Sequence, residues 1–228
     1  MSVILSIESS TGVCSVALHE QGRLLAAEQL HVPQSHASKL ALLVQHVLES
    51  AGVESSGLSA VAVASGPGSY TGLRIGTSLA KGLCMGLSIP LISLDSLLVL
   101  ANHARRVNPD KFLMCPMIDA RRMEVYCSII DYSLKMLTPN GPMVVDERSF
   151  NDILSQHSIL FFGDGAEKCK RVIDHSNAKF LEGVQSHALA MGDLAFDKFI
   201  NNEVEDVHQF VPNYGKDYEA KVSRVQIV

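Results

Sequence analysis

Apolar and polar residues alternate along Val3 to Glu8, Val13 to His19 and Arg23 to Leu30. A period of two predicts three antiparallel strands, joined by Ser9-Ser10-Thr11-Gly12 and Glu20-Gln21-Gly22. The period then lengthens. Between Ser35 and Ala51 the residues Leu40, Leu43, Val44, Val47, Leu48 and Ala51 share one helical face. A small apolar run, Ala60 to Ala64, predicts a buried strand, and a second helical pattern covers Leu73 to Leu87. Ile89 to Leu94 predicts a short strand, after which Asp95-Ser96 caps a helix over Leu97 to His103.

Polar, turn-rich Val107-Asn108-Pro109-Asp110 interrupts the pattern, and a similar order of elements then restarts. Phe112 to Ile118 and Glu124 to Ile130 predict a hairpin around Asp119-Ala120-Arg121-Arg122, with Pro142 to Val145 as a third strand. A helix over Phe150 to Gln156, a strand over Ile159 to Phe162, the loop Gly163-Asp164-Gly165 and a helix over Ala166 to Ile173 complete the second round. Ser186 to Asn201 predicts a long helix, and the polar tail turns at Pro212-Asn213-Tyr214. The expected organisation is an N-terminal half, residues 1–107, a smaller C-terminal half, residues 108–212, and a tail, residues 213–228. Strand-strand-strand-helix-strand-helix, twice, predicts two related α/β layers.

The loop between the fourth strand and its helix is rich in glycine: Gly66, Gly68 and Gly72, with Pro67 stiffening it. Its helix contains Gly76, Gly82 and Gly86, each costing about 1 kcal/mol against alanine. Gly72, Gly76, Ala80 and Cys84 recur every four residues and form a smooth stripe, which predicts an unusually close neighbour. Free amides at the helix start suit an anion, while tight strand-to-helix packing accounts equally for the glycines. A P-loop is excluded, because Gly-Lys-Ser/Thr is absent and Leu73-Arg74 occupies the junction. The dinucleotide fingerprint fails too, since the third glycine comes one residue late.

Composition narrows the class. The 228 residues are 47% hydrophobic and 19% charged, which is globular, and a net charge of −5 argues against autonomous nucleic-acid binding. Arg105-Arg106, Arg121-Arg122 and Lys168-Lys170-Arg171 read as solvated surface. The most apolar stretch, Leu87 to Ala101, is broken by Pro90 and Asp95, so a cytoplasmic protein without a membrane span is expected. Five cysteines include no close pair, and no two of the nine histidines stand four apart, so neither a disulfide framework nor a metal site is expected.

The duplicated order, together with Ile4-Leu5-Ser6-Ile7-Glu8-Ser9-Ser10-Thr11, resembles the actin, hexokinase and heat-shock-chaperone ATPase fold, here with a reduced second half. More specifically the chain resembles the TsaB (YeaZ) family. The matching residues are Cys14 to Leu18, the run Gly66 to Gly76 with Ala80-Lys81-Gly82-Leu83, then Asp119-Ala120-Arg121 and Gly163-Asp164-Gly165-Ala166. The resemblance implies a non-catalytic subunit that binds and activates a TsaD-type transferase. That complex forms threonylcarbamoyladenosine next to the anticodon of tRNAs reading codons that start with A. It also implies a TsaE-type ATPase as further partner, a homodimer when alone, and tRNA contact only through the complex.

For the site, the resemblance implies no catalytic residue and no metal. A TsaD-type transferase follows its glycine-rich helix with two metal-holding histidines, and the equivalent stretch here, Ile92 to Val99, has none. ATPases of this fold carry an aspartate on the first strand where this chain has Glu8. Glu8, Ser10, Asp119, Gly163 and Asp164 are the candidate cofactor contacts, and ATP or ADP is expected only at a complex interface. The alternative is an actin-fold ATPase or phosphotransferase acting by itself. The implied helical interface maps onto Ala41 and Leu42 of the first helix and onto Gly72, Gly76, Ala80 and Cys84 of the second. A leucine at Gly76 is accordingly expected to weaken association without unfolding the chain.

Overall fold

The computed structural model describes residues 2–32 and 35–215, and its backbone lays down one topology twice. In the first round β1 (Val3–Glu8), β2 (Cys14–Glu20) and β3 (Arg23–Leu30) form the antiparallel meander. Then follow α1 (His36–Ala51), β4 (Ala60–Ala64), α2 (Tyr70–Leu87), β5 (Leu91–Leu94) and α3 (Ser96–Ala104). The sheet order is β3-β2-β1-β4-β5, with β4 parallel to β1 and β5 parallel to β4. The second round runs β6 (Leu113–Asp119), β7 (Glu124–Cys127), β8 (Gly141–Val144), α4 (Asn151–Leu154), β9 (Ile159–Phe162), α5 (Ala166–Cys169) and β10 (Ala178–Leu181). Its sheet has the matching order β8-β7-β6-β9-β10. Strand β10 stands where β5 stands in the first half, yet four residues with a lysine among them give no readable period.

Residue pattern explains the layers. In β4, Val61 and Val63 join Leu5 and Ile7 beneath α1 and α2, while Ala60 and Ala62 join Ile4 and Ala17 on the opposite face. Both faces are covered, so the strand is apolar throughout. Asp95 caps α3 by accepting from the Leu97 and Leu98 amides at 2.8 and 3.1 Å, as its position predicts. From there Leu97, Leu100, Ala101 and Ala104 pack on Met114, Ile118 and Phe162, so α3 joins the two sheets.

After β10 the chain goes back. A short 3-10 turn, Ala188–Ala190, and α6 (Gly192–Ile200) pack Ala188, Ala190, Met191 and Ala195 on Ile4, Ala17, Ala60 and Ala62 of the first sheet. Residues 108–212 therefore do not form one spatial half, contrary to the order of elements in sequence. The long helix expected from Ser186 is also shorter, because the Ala188 amide donates to Ser15 Oγ at 2.9 Å instead of entering a helical ladder. Beyond α6 an extended strap crosses the first half. The Glu205 amide donates to the Leu91 carbonyl at 2.9 Å and the Asn213 amide to the Ser65 carbonyl at 2.7 Å. Lys81 Nζ donates to the His208 and Phe210 carbonyls at 3.3 and 3.1 Å. Of the expected tail, residues 216–228 lie outside the described residues. No described helix is long and apolar enough to cross a membrane.

Candidate functional site in the cleft between the halves

The loop that follows β1 borders a cavity of about 240 Å³ lined by Thr11, Gly12, Val13, His31, Leu100, Asp164, Gln185 and Ser186. Loops from both halves and the returning segment meet there, as the duplicated topology requires. Ser186 is a lining residue and its partner Glu8 is not; Glu8 is fully buried. Its Oε1 accepts from the Ser10 amide at 2.6 Å and its Oε2 from the Ser186 hydroxyl at 2.7 Å. Burial pushes the Glu8 carboxyl above its ordinary value, the bonds from Ser10 and Ser186 oppose that, and the Asp164 charge adds to it. The first partner belongs to the loop that follows β1, but the second comes from 178 residues away. Both oxygens are thereby occupied by protein donors.

Ser10 is fully buried beside Glu8, and its carbonyl accepts from the Ser69 amide at 2.7 Å, fastening the β1–β2 loop to the start of α2. Asp164 faces the cavity from the second half. Desolvation by the crevice walls raises its carboxyl pKa, and the neighbouring Asp119 charge adds to the rise while Lys168 opposes it. Asp119 does not line the cavity. Its amide donates to Asp164 Oδ1 at 2.9 Å and its carboxylate pairs with Lys168, whose Nζ also donates to the Glu124 carbonyl at 2.7 Å. Asp119 is a hairpin-end ion pair, with Lys168 rather than Arg121 as the cation; Arg121 supplies only its amide, at 3.0 Å. Gly163, at φ +102°, has Leu100 Cδ2 2.9 Å from where a Cβ would stand and the Met117 carbonyl closer still. Its role is to let β9 turn against β6.

Histidines that spacing leaves scattered converge at the cleft. The His187 ring stands edge-on to His103 at 5.3 Å and to His31 at 6.0 Å between centroids. Burial pushes His187 down to about 4, with His103 and His31 adding to the shift. Ser186, Gln185 and His187 carry no sequence signal, since the three segments meet only through the return of the chain. Among the described residues no group of His, Cys, Asp and Glu could hold a metal ion. The cavity is smaller than the roughly 300–1,000 Å³ of typical ligand sites. Asp164 is the acid that lines it, whereas Glu8 fastens the returning segment at Ser186 to the first sheet.

The glycine stripe is likewise an internal contact. Gly72, Gly76, Ala80 and Cys84 are buried. A Cβ at Gly72 would overlap the Ser9 carbonyl oxygen, and one at Gly76 would overlap Ser9 Oγ with Ile7 Cγ2 3.5 Å away. These four residues present nothing to a second protein, and the interface expected along them is corrected: the close neighbour is β1 and its loop. A leucine at Gly76 would disrupt the fold itself. On the opposite side of α2, Gly82 and Gly86 have open space around a notional Cβ, and Met85 is 54% exposed. Ala41 and Leu42 of α1 are exposed as well.

Comparison with known proteins sets this geometry in context. Residues 30–223 match the family described as TsaD, tRNA N6-adenosine threonylcarbamoyltransferase. The chain is 29% identical over 230 residues, 98% of each chain, to the tRNA threonylcarbamoyladenosine biosynthesis protein TsaB of Bacillus subtilis. The solved structure of YeaZ from Pseudomonas aeruginosa superposes with a TM-score of 0.82 at 28% identity, covering 94% of this chain and all of that one. The fold also extends to the activator of 2-hydroxyisocaproyl-CoA dehydratase from Clostridium difficile, solved with ADPNP bound. There the TM-score is 0.52 at 11% identity, over 90% of this chain and 98% of that one. The architecture is thus the actin/hexokinase-like ATPase fold.

Proposed function

The chain belongs to the family described as tRNA N6-adenosine threonylcarbamoyltransferase, and among its members to the TsaB (YeaZ) proteins, and from this we propose that it is the non-catalytic activator subunit of the complex forming threonylcarbamoyladenosine next to the anticodon. One observation carries the non-catalytic reading. The acidic group at the end of β1 is fully buried and tied to the Ser10 amide and the Ser186 hydroxyl, which suits a structural role and not that of an exposed ligand for water or a cation. The stretch Ile92 to Val99 supports the same reading, since it contains no histidine.

The partner is a TsaD-type transferase, docked on the exposed face of α1 and α2 around Ala41, Leu42, Gly82 and Met85. Exposed apolar side chains flanked by glycines suit a close helix-to-helix contact. The same face serves a homodimer when the chain is alone, and a TsaE-type ATPase joins the assembled pair. ATP or ADP sits where complex surfaces meet, because the cleft cavity beside Asp164, about 240 Å³, is smaller than ligand sites usually are. The work is done in the cytoplasm, where the tRNA is.

The test is light scattering behind size exclusion, on the chain alone and mixed with the transferase of the same genome. A stable complex with raised transferase activity is expected. Leu42→Asp is expected to abolish that complex while leaving the melting temperature of the isolated chain unchanged. ATP turnover by the isolated chain, lost in Glu8→Ala, would overturn the reading in favour of a self-sufficient ATPase.

A further inference from the structure

Strand β3 ends one side of the first sheet, and among the described residues nothing pairs with its outer edge. Alternate residues of an antiparallel edge strand present their amide and carbonyl outward, where they template a further strand. Such edges are ordinarily blunted by lysine, proline or a bulge. This one is blunted only at its start. Leu18 pairs with Ala26 and His19 with Leu24, so Leu25 stands extra in a bulge. From Ala26 to Leu30 the ladder to β2 is regular, and this stretch contains neither lysine nor proline. Beside it Leu24 and Leu25 are 52% and 45% exposed. The edge is thus open and flanked by apolar side chains.

A groove of about 500 Å³ runs along the same edge. The strand contributes Ala26, Ala27 and Glu28 to its walls, and α1 contributes His46, Val47 and Glu49. Helix α1 packs on β2 and β3 whereas α2 packs on β4, so the groove lies on the flank of α1 turned away from α2. Its chemistry selects the occupant. Glu28 lies 3.2 Å from the His46 ring and Glu49 accepts from Gln45 at 2.7 Å, but among the described residues neither carboxylate meets a lysine or arginine. Between them Ala26 and Val47 form an apolar floor. A long cationic side chain matches both parts, its alkyl stem on the floor and its head at the carboxylates. In an added strand every second side chain points to the helix side of the sheet, which brings one of them over the groove.

We propose that the β3 edge is a docking site for an extended segment of a partner protein, which adds as a sixth strand along Ala26 to Leu30 and lays one arginine or lysine across Ala26 and Val47 onto Glu28 and Glu49. Backbone pairing supplies the affinity, and the acidic groove supplies the choice of side chain. Neither the tRNA-modification reading nor the face around Leu42 enters into it.

The experiment titrates the isotope-labelled full chain with the end-blocked peptide Thr-Val-Thr-Arg-Thr-Val-Thr and follows backbone amides by NMR. Shifts and slowed hydrogen exchange are expected at Ala26 to Leu30. The same peptide with glutamate in place of arginine is expected to bind about tenfold more weakly, as two partly exposed ion pairs are lost. Alternate N-methylation of the arginine peptide keeps its charge but removes its donors, and is expected to abolish binding. In the Glu28→Lys, Glu49→Lys double variant, whose exposed positions leave the melting temperature unchanged, the preference is expected to reverse toward the glutamate peptide. Leu42→Asp is expected to bind the arginine peptide as the wild type does. Undisturbed β3 amides at millimolar peptide would overturn the proposal. So would equal binding of the arginine and glutamate peptides, or binding that survives N-methylation, which would reduce the groove to a diffuse attraction of charge.

Discussion

Two pairs of glycines on one helix should respond oppositely to the same methyl group. At Gly72 a Cβ would overlap the Ser9 carbonyl oxygen and stand 3.3 Å from its carbon, and that oxygen belongs to backbone held between β1 and the α2 loop. Crowding of this kind costs about 1–3 kcal/mol, and more where backbone must move. Ser9 Oγ also donates to the Gly72 carbonyl at 2.9 Å, and its loss adds about 1 kcal/mol. The helical gain of alanine over glycine, about 1 kcal/mol, offsets only part of this. Gly72→Ala is therefore expected to destabilise by about 1–3 kcal/mol, a fall in Tm of roughly 2–12 °C for a chain of this size. Gly82 has nothing within 4 Å of a notional Cβ, so Gly82→Ala keeps the whole helical gain. Its Tm should rise by roughly 2–4 °C. Thermal unfolding followed by circular dichroism compares the two directly. Equal shifts, or a Gly72→Ala protein as stable as the wild type, would refute the claim that the stripe packs on Ser9.

Two further expectations concern pH. Glu8 has a folded pKa raised above its ordinary 4.5, so its contribution is present below that value and is lost as pH climbs through the raised one. Glu8→Gln removes this slope, and urea unfolding from pH 4 to 8 should show the variant gaining on the wild type as pH increases; parallel curves would contradict the assignment. His187 has a folded pKa depressed to about 4 from 6.5, so its contribution is present above 6.5 and disappears as pH falls toward 4. An NMR titration should place the His187 midpoint near 4, and a midpoint at 6.5 would show the ring to be solvated.

Much of this fold can be read from residue order because alternation and helical period are local. The meander of β1 to β3, the caps of α3 and the doubled sequence of elements all follow from patterns within a dozen residues. The glycine stripe was legible as a demand for close approach, but a smooth helical face does not say what lies against it. Ser9 answers only once β1 and α2 are placed side by side. The cleft was half legible. Glu8 and Asp164 stand at strand ends where a duplicated α/β topology puts its loops, whereas Ser186, Gln185 and the three histidines come from segments that no period connects. The same long-range return hid β10 and broke the expected helix at Ser186. There the backbone amide of Ala188 went to the side chain of Ser15, a choice made by tertiary structure over local propensity.

The return of the chain after β10 has a consequence for synthesis. The first sheet receives the cover for Ile4, Ala17, Ala60 and Ala62 from Ala188, Ala190, Met191 and Ala195, so a ribosome finishes one face of these early strands only after about 130 further residues beyond Ala62 have been made. A fragment ending at the polar turn near residue 107 would display that face to water, and an expression strategy that cuts the protein between its two sheets would yield two sticky pieces instead of two domains.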